Sequence, residues 1–110
     1  MIIDQKENTA IITQEKTTSI ELVKKIQSLY PKFKNNNIIV ALTALDDISS
    51  ADVVEFLQLS NTHRAAKHSF VLVSNKINLD DAPEELAIVP TLQEAHDLIE
   101  MEVMERDLGL

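Results

Sequence analysis

The sequence contains no cysteine, no tryptophan and only one glycine among its 110 residues. The lack of cysteine excludes disulfides, thiolate catalysis and cysteine-ligated metal sites, and it is compatible with the cytoplasmic location that we expect. A single glycine excludes the glycine-rich loops that bind phosphates or dinucleotides. One tyrosine and three phenylalanines are too few to form the stacking platforms that bind bases or sugars.

Long apolar runs and an excess of positive charge are also missing. No stretch approaches the ~20 consecutive apolar residues of a membrane-spanning helix, and no basic-then-apolar signal opens the chain, so we expect no membrane association. The net charge of −8 argues against a surface that neutralises nucleic-acid phosphates. Acidic residues concentrate at positions 80 to 105, which favours basic protein surfaces as partners of this third of the chain.

Apolar runs and helical patterns alternate along the chain. Ile2–Asp4 and Thr9–Thr13 are typical of short strands, and the continuous apolar run Ile38–Leu42 predicts a strand buried on both faces near the centre of the sheet. Capping-box patterns at Thr18–Glu21 and Thr91–Glu94 predict helix starts. The order β-β-α-β-α-β-α-β-α predicts one α/β domain, singly wound, with a mostly parallel sheet.

The other boundaries follow from local signals. Pro31 should end the first helix, because it disfavours helical backbone at the preceding residue. A second helix should cover about Ser50–Ala66. Strands are expected at Phe70–Val73 and Ala87–Val89, with a short helix between them that begins at Asp81.

The junction between the Ile38–Leu42 strand and the second helix carries the most polar chemistry. It places Ser49 and Ser50, together with three aspartates, where free N–H groups and the helix dipole are receptive to anions. Ser50 can cap the helix or carry a phosphate, and the sequence leaves both alternatives open. A nucleophilic role is not supported, because no Gly-x-Ser-x-Gly elbow surrounds this residue.

The three histidines form neither a catalytic nor a metal-binding set. His63 and His68 are five residues apart, which is the wrong spacing for joint chelation on a helix. We expect them to form a cationic cluster with Arg64 and Lys67 at the helix end, and His96 to lie on a solvated face. The sequence therefore predicts no metal, no cofactor and no enzymatic activity.

Two helices carry apolar residues on more than one side. On the second helix, a core-facing side is predicted for Val53, Val54, Leu57 and Ala65, with Phe56 and Leu59 around the opposite side. On the last helix, a face separate from the core-facing one is formed by Met101, Met104 and Leu108. An adaptable Met-rich patch suits a partner or self-association, and packing against neighbouring helices is the alternative.

Three features resemble the STAS family of sulfate-transporter and anti-sigma-factor-antagonist domains. They are the element order, the strand–Ser-Ser–helix junction and the segment Ile88-Val89-Pro90-Thr91-Leu92-Gln93-Glu94-Ala95. The resemblance covers about residues 1–100 and leaves 101–110 as an acidic, Met-containing helical extension. The family motif Asp-Ser-Ser-Gly matches Ser49-Ser50-Ala51-Asp52, which places Ser50 at the phosphoacceptor position, while the other three positions depart from the motif.

The resemblance implies a non-enzymatic protein-interaction module whose partner is a regulatory protein, such as an anti-sigma factor or a serine kinase. The matching contact positions in this sequence are Asp47, Ser49, Ser50, Asp52, Phe56 and Leu59. The alternative is an accessory subunit without a phosphoswitch that uses Met101, Met104 and Leu108 to form a homodimer or to dock on a larger enzyme. Ribonuclease Z is a candidate for that enzyme.

Overall fold

The computed structural model describes residues 2–6, 8–14, 18–42, 49–77, 80 and 82–109, with Ser50 described by its backbone alone. The elements follow in the order β1 (Ile2–Lys6), β2 (Thr9–Thr13), α1 (Ser19–Phe33), β3 (Asn37–Ala41), α2 (Ser50–Val54), α3 (Leu57–Ala65), β4 (Phe70–Val73), β5 (Ala87–Val89) and α4 (Leu92–Asp107). This alternation confirms the predicted α/β class. None of the helices in the described ranges is long and apolar enough to cross a membrane.

The five strands form one sheet in chain order, β1-β2-β3-β4-β5. The strands β1 and β2 form an antiparallel hairpin, and the other three pairings are parallel. The middle strand β3 is buried along its whole length, with Ile38, Ile39 and Val40 fully buried. The prediction of a central strand in a mostly parallel sheet is therefore confirmed.

Helices cover the two faces of the sheet unequally. On one face, α1, α2 and α3 pack over side chains such as Val40 and Leu72. On the other face, α4 packs over Ile39, Val71 and Val73. The crossovers from β2 to β3 and from β3 to β4 therefore lie on the same face, and Ile77, Ala82 and Leu86 of the connection from β4 to β5 pack into the same core. This is the singly wound arrangement that the sequence predicts.

The prediction that Pro31 ends the first helix is wrong. Helix α1 continues through Pro31 to Phe33, whose side chain is buried in the core. Pro31 is exposed and lies in the last turn, so the helix loses one backbone hydrogen bond there, and burial of Phe33 offsets that loss. The predicted helix start at Asp81 lies outside the described residues. The residues just beyond it, 82–86, form no helix, so the predicted short helix is wrong there. The Leu86 N–H donates to the Pro83 carbonyl in a turn instead.

The single helix predicted over Ser50–Ala66 is interrupted at residues 55–56. The Phe56 N–H donates to the Val53 carbonyl, and the Ser60 N–H donates to the Phe56 carbonyl, so a tighter turn separates α2 from α3. No glycine or proline marks this break. Phe56, at the break, is fully buried, as is Val53 three residues before it.

Most of the faces predicted for this segment are wrong, because the core-facing side contains Val53, Phe56 and His63, which are spaced three and seven residues apart as on one side of a helix. Phe56 and Leu59, expected on the side opposite the core, are buried. Val54 and Ala65, expected to face the core, are exposed. Of the four residues predicted to face the core, Val53 is buried as expected and Leu57 is half-buried.

Candidate functional site

A reciprocal capping box closes the start of α2. The Ser49 Oγ accepts from the Asp52 N–H at 3.3 Å, and Asp52 Oδ2 accepts from the Ser49 N–H and the Ser49 hydroxyl at 3.1 Å each. The N-cap is therefore Ser49, whereas the sequence favoured Ser50, which already has helical backbone. The Asp52 carboxylate supplies the negative charge that the free N–H groups of a helix start favour.

The predicted phosphoacceptor role of Ser50 stays a prediction, because its side chain lies outside the described atoms. Asp47, a predicted contact residue, also lies outside the described residues. The structure does describe a charged residue close to Ser50 along the helix. Asp52 lies in the same helical turn, and its carboxylate is already bound to the start of the helix.

Two of the predicted contact residues do not lie on the surface. The exposed fraction of Phe56 is 0% and that of Leu59 is 5%, so both side chains belong to the core beneath α2 and α3. The exposed side chains of this segment are instead those of Ser49, Ala51, Val54, Glu55 and Gln58, which we call the α2 surface. Val54 is the large apolar residue of this surface and is 48% exposed.

A buried histidine joins α1, α3 and the start of β3. The His63 Nε2 lies 2.6 Å from the Asn36 carbonyl oxygen, and Nδ1 lies 2.6 Å from the Tyr30 hydroxyl. A carbonyl oxygen only accepts, so Nε2 carries a proton. In the neutral ring, Nδ1 then accepts from the Tyr30 hydroxyl, and both ring nitrogens are satisfied.

Burial lowers the pKa of His63 below its ordinary value, and electrostatic interactions with His68, Arg106 and Arg64 lower it further. The hydrogen bond to the Asn36 carbonyl acts in the opposite direction. Burial also raises the pKa of the Tyr30 hydroxyl, which keeps it a donor. The prediction that His63 belongs to a cationic surface cluster is therefore wrong, because the ring is buried and lies stacked on His68 at 5.3 Å.

A second polar cluster joins α3, α4 and the starts of β3 and β4. Glu102 Oε2 accepts from Nη1 and Nη2 of Arg64 at 3.2 Å, and Oε1 accepts from the Ser69 hydroxyl at 2.6 Å. Arg106 donates to the Ser69 Oγ at 3.2 Å and to the Asn37 Oδ1 at 3.4 Å. The Ser69 N–H donates to the same Asn37 oxygen at 2.9 Å.

This cluster ties the last turns of α4 to the domain. Helix α4 is continuous from Leu92 to Asp107, and Glu102 and Arg106 anchor its second half. Residues 101–107, which were predicted to begin a helical extension, continue the same helix. Arg64 and Glu102 lie 38 positions apart, and no local pattern in the sequence signals such a pair.

The face predicted for self-association is exposed. Met101, Met104 and Leu108 are 52%, 58% and 71% exposed, and with Asp97, Glu100 and Glu105 they line a concavity of about 310 Å³. Self-association through these residues stays a prediction. Across the described part of the chain, no three histidine or acidic side chains are grouped closely enough to hold a metal ion.

Comparison with known proteins gives likeness in structure alone. No protein-family model and no curated protein matches the sequence. A serine-to-glutamate variant of RsbS from Moorella thermoacetica matches with a TM-score of 0.72 and 12% identity, over 94% of this chain and 97% of that one. A second structure, described as the molecular architecture of the stressosome, a signal integration and transduction hub, matches with a TM-score of 0.63 and 13% identity, over 90% and 96% of the two chains.

Proposed function

We propose that this chain, which has a STAS-like fold, is a regulatory protein-interaction module that binds another protein through the α2 surface. The STAS-like fold was predicted from the sequence, and likeness over nearly the whole of both chains confirms it. One structure with this fold is a signal integration and transduction hub. That likeness supports a role in a signalling assembly, and the sequence resemblance to the STAS family implies an anti-sigma factor or a serine kinase as the class of partner.

The observation that carries the proposal is the exposure of Val54 on a rigid turn. Val53 is buried directly before it and Phe56 is buried two residues after it, so both neighbours fix the backbone of the turn on the core. Val54 is surrounded on the α2 surface by small and polar side chains. An apolar side chain held in this way can contact a partner without the entropy cost of ordering a loop.

A phosphate on Ser50 would regulate this contact by repulsion. It would bring nearly two negative charges into the turn that holds Asp52. That carboxylate already occupies the Ser49 N–H, so a phosphate would find less compensation there than at an uncapped helix start. We therefore propose that phosphorylation of Ser50 releases the partner.

The experiment is quantitative affinity capture from the native cell with three tagged forms. Val54→Asp should reduce the captured partner about tenfold or more, because it places a charge at the centre of the contact. Ile20→Asp is the matched control, since Ile20 is 51% exposed and lies on α1, outside the α2 surface. It should capture as much partner as the wild type, and circular dichroism should show both variants folded.

Substitution of Ser50 tests the regulatory step separately. Ser50→Asp should lose the partner that Ser50→Ala retains, because the aspartate supplies part of the charge of a phosphate. Equal capture by the wild type and Val54→Asp would show that the α2 surface is not the contact. Equal capture by the two Ser50 variants would rule out regulation by phosphorylation of Ser50 and would leave the proposed contact through the α2 surface in place.

A further inference from the structure

The α4 side of the sheet is covered over only part of its width. Helix α4 packs on β3, β4 and β5 through Ala95 and Ile99. Beside it, over β1 and β2, no helix of the described ranges occupies the equivalent position on this side. The opposite side of the same sheet carries α1, α2 and α3. A sheet face without a covering layer leaves apolar side chains in water.

A concavity of about 410 Å³ lies at this uncovered position, between α4 and the β1–β2 hairpin. Its wall on α4 includes Ile99, Val103 and Met104, and Thr9 of β2 lies opposite them. Met104 and Glu100 also line the 310 Å³ concavity that contains Met101 and Leu108. The two concavities therefore lie side by side on α4 and share Glu100 and Met104, and together we call them the α4 groove.

The hairpin extends the apolar floor of the α4 groove. Ile11 of β2 is half-buried against the core on the α4 side. Ile2 lies opposite Thr13 in the strand register, two residues along from Ile11, so it is on the same side of the sheet. Ile2 is 54% exposed. Apolar side chains thus flank the groove on the hairpin as well as on α4.

The border of the α4 groove is acidic. Asp97, Glu100 and Glu105 are exposed on α4, and Asp4 lies opposite Ile11 on the hairpin side. Lys6 is the basic side chain of β1 on this side, opposite Thr9. Among the other charges in the second half of α4, Asp107 is exposed, whereas Glu102 binds Arg64 and Arg106 binds Ser69 and Asn37.

We propose that the α4 groove binds an amphipathic helix of another protein, with an apolar stripe along its centre and lysine or arginine along its edges. A helix fits the vacant place beside α4, and its i, i+3, i+4 and i+7 side chains would contact the methionines, whose flexible side chains adapt to a partner. Basic edges would face Asp97, Glu100 and Glu105. A second copy of this chain fits less well, because two-fold pairing would bring these acids against their own equivalents.

The test uses fluorescence anisotropy with a labelled helical peptide of leucine and lysine, in which leucines repeat at i, i+3, i+4 and i+7. The full chain should bind this peptide, and binding should weaken as salt rises because the border attraction is screened. Met104→Ser and Glu100→Lys should each weaken binding about tenfold. Ile20→Ser, at an equally exposed position on α1, and Glu84→Lys, in an exposed turn, are matched controls that should bind within about twofold of the wild type.

Three results would overturn the proposal. One is equal binding of a peptide with the same leucines and glutamate in place of lysine. Another is an affinity that neither Met104→Ser nor Glu100→Lys changes, or no binding at all. The third is a wild-type dimer in sedimentation velocity that tightens with salt and dissociates in Met104→Ser, because that would assign the groove to a second copy of the chain.

Discussion

The Tyr30 hydroxyl lies 2.6 Å from the His63 Nδ1 and joins α1 to α3 across 33 positions of sequence. We predict that Tyr30→Phe lowers the free energy of unfolding by about 1–2 kcal/mol, because it leaves a buried ring nitrogen without a donor. Urea denaturation measures this loss. In a His63→Leu background the same change should cost little, and an equal cost in both backgrounds would show that the hydrogen bond contributes nothing.

Stability should fall on acidification. In the unfolded chain His63 titrates near ~6.5, whereas burial lowers its pKa in the folded protein. Between the folded and unfolded pKa values of His63, the unfolded state binds more protons than the folded state. The contribution of neutral His63 to the free energy of unfolding is therefore complete above about pH 6.5 and is lost as the pH falls toward the folded pKa. Urea midpoints from pH 7.5 down to 5 should therefore decrease.

The histidine responsible can be identified directly. The loss between pH 7.5 and 5 should be smaller in His63→Gln than in the wild type, since glutamine does not titrate. NMR titration of the imidazole signals should show the His63 ring neutral well below pH 6.5. A His63 ring that gains its proton at or above that value would contradict the buried neutral state.

The Arg64–Glu102 pair should make a measurable contribution to stability. Glu102→Gln keeps the shape of the side chain and removes its charge, so we expect a loss of about 1 kcal/mol from the weakened bonds to Arg64 and Ser69. Thermal or urea unfolding measures it. Glu100→Gln, exposed on the same helix, should change the free energy of unfolding by less than about 0.5 kcal/mol. If Glu102→Gln and Glu100→Gln changed the free energy of unfolding by similarly small amounts, the polar cluster around Glu102 would not be an anchor of α4.

Replacement of the α2 cap should also destabilise the protein. Ser49→Ala removes the oxygen that accepts from the Asp52 N–H, at a cost of about 1 kcal/mol. Faster hydrogen exchange at the Asp52 amide should accompany the change. Ser28→Ala is a suitable control, because the Ser28 hydroxyl bonds within α1 and caps no helix. A Ser49→Ala protein as stable as Ser28→Ala would contradict the capping box.

Local signals in the sequence predicted the fold where one physical effect dominates. The continuous apolar run of β3 reflects burial on both faces, and Thr18 and Thr91 both cap their helices as the Thr-x-x-Glu spacing predicts. The break before α3 gave no such signal, because no glycine or proline causes it. Phe56, at the break, packs in the core with residues of strands that are distant in sequence.

The candidate site was harder to predict than the fold. A single residue separates the predicted cap, Ser50, from the observed one, Ser49, because both serines precede a helical stretch and only the backbone angles decide between them. The predicted contacts Phe56 and Leu59 followed from assigning the wrong side of this helical segment to the core. His63 shares its helix side with Leu59, four positions before it, and this spacing was the signal of a buried histidine.

The order of the strands has a consequence for synthesis on the ribosome. Because β1 to β5 pair in the order in which they are made, the hairpin, α1, α2, α3 and the sheet can assemble as the chain emerges. The side chains of Ile39, Val71 and Val73 have no cover at that stage, since α4 follows every strand. A nascent chain that pauses before residue 92 thus displays an apolar sheet face, which is the kind of surface that chaperones bind and that aggregation begins from.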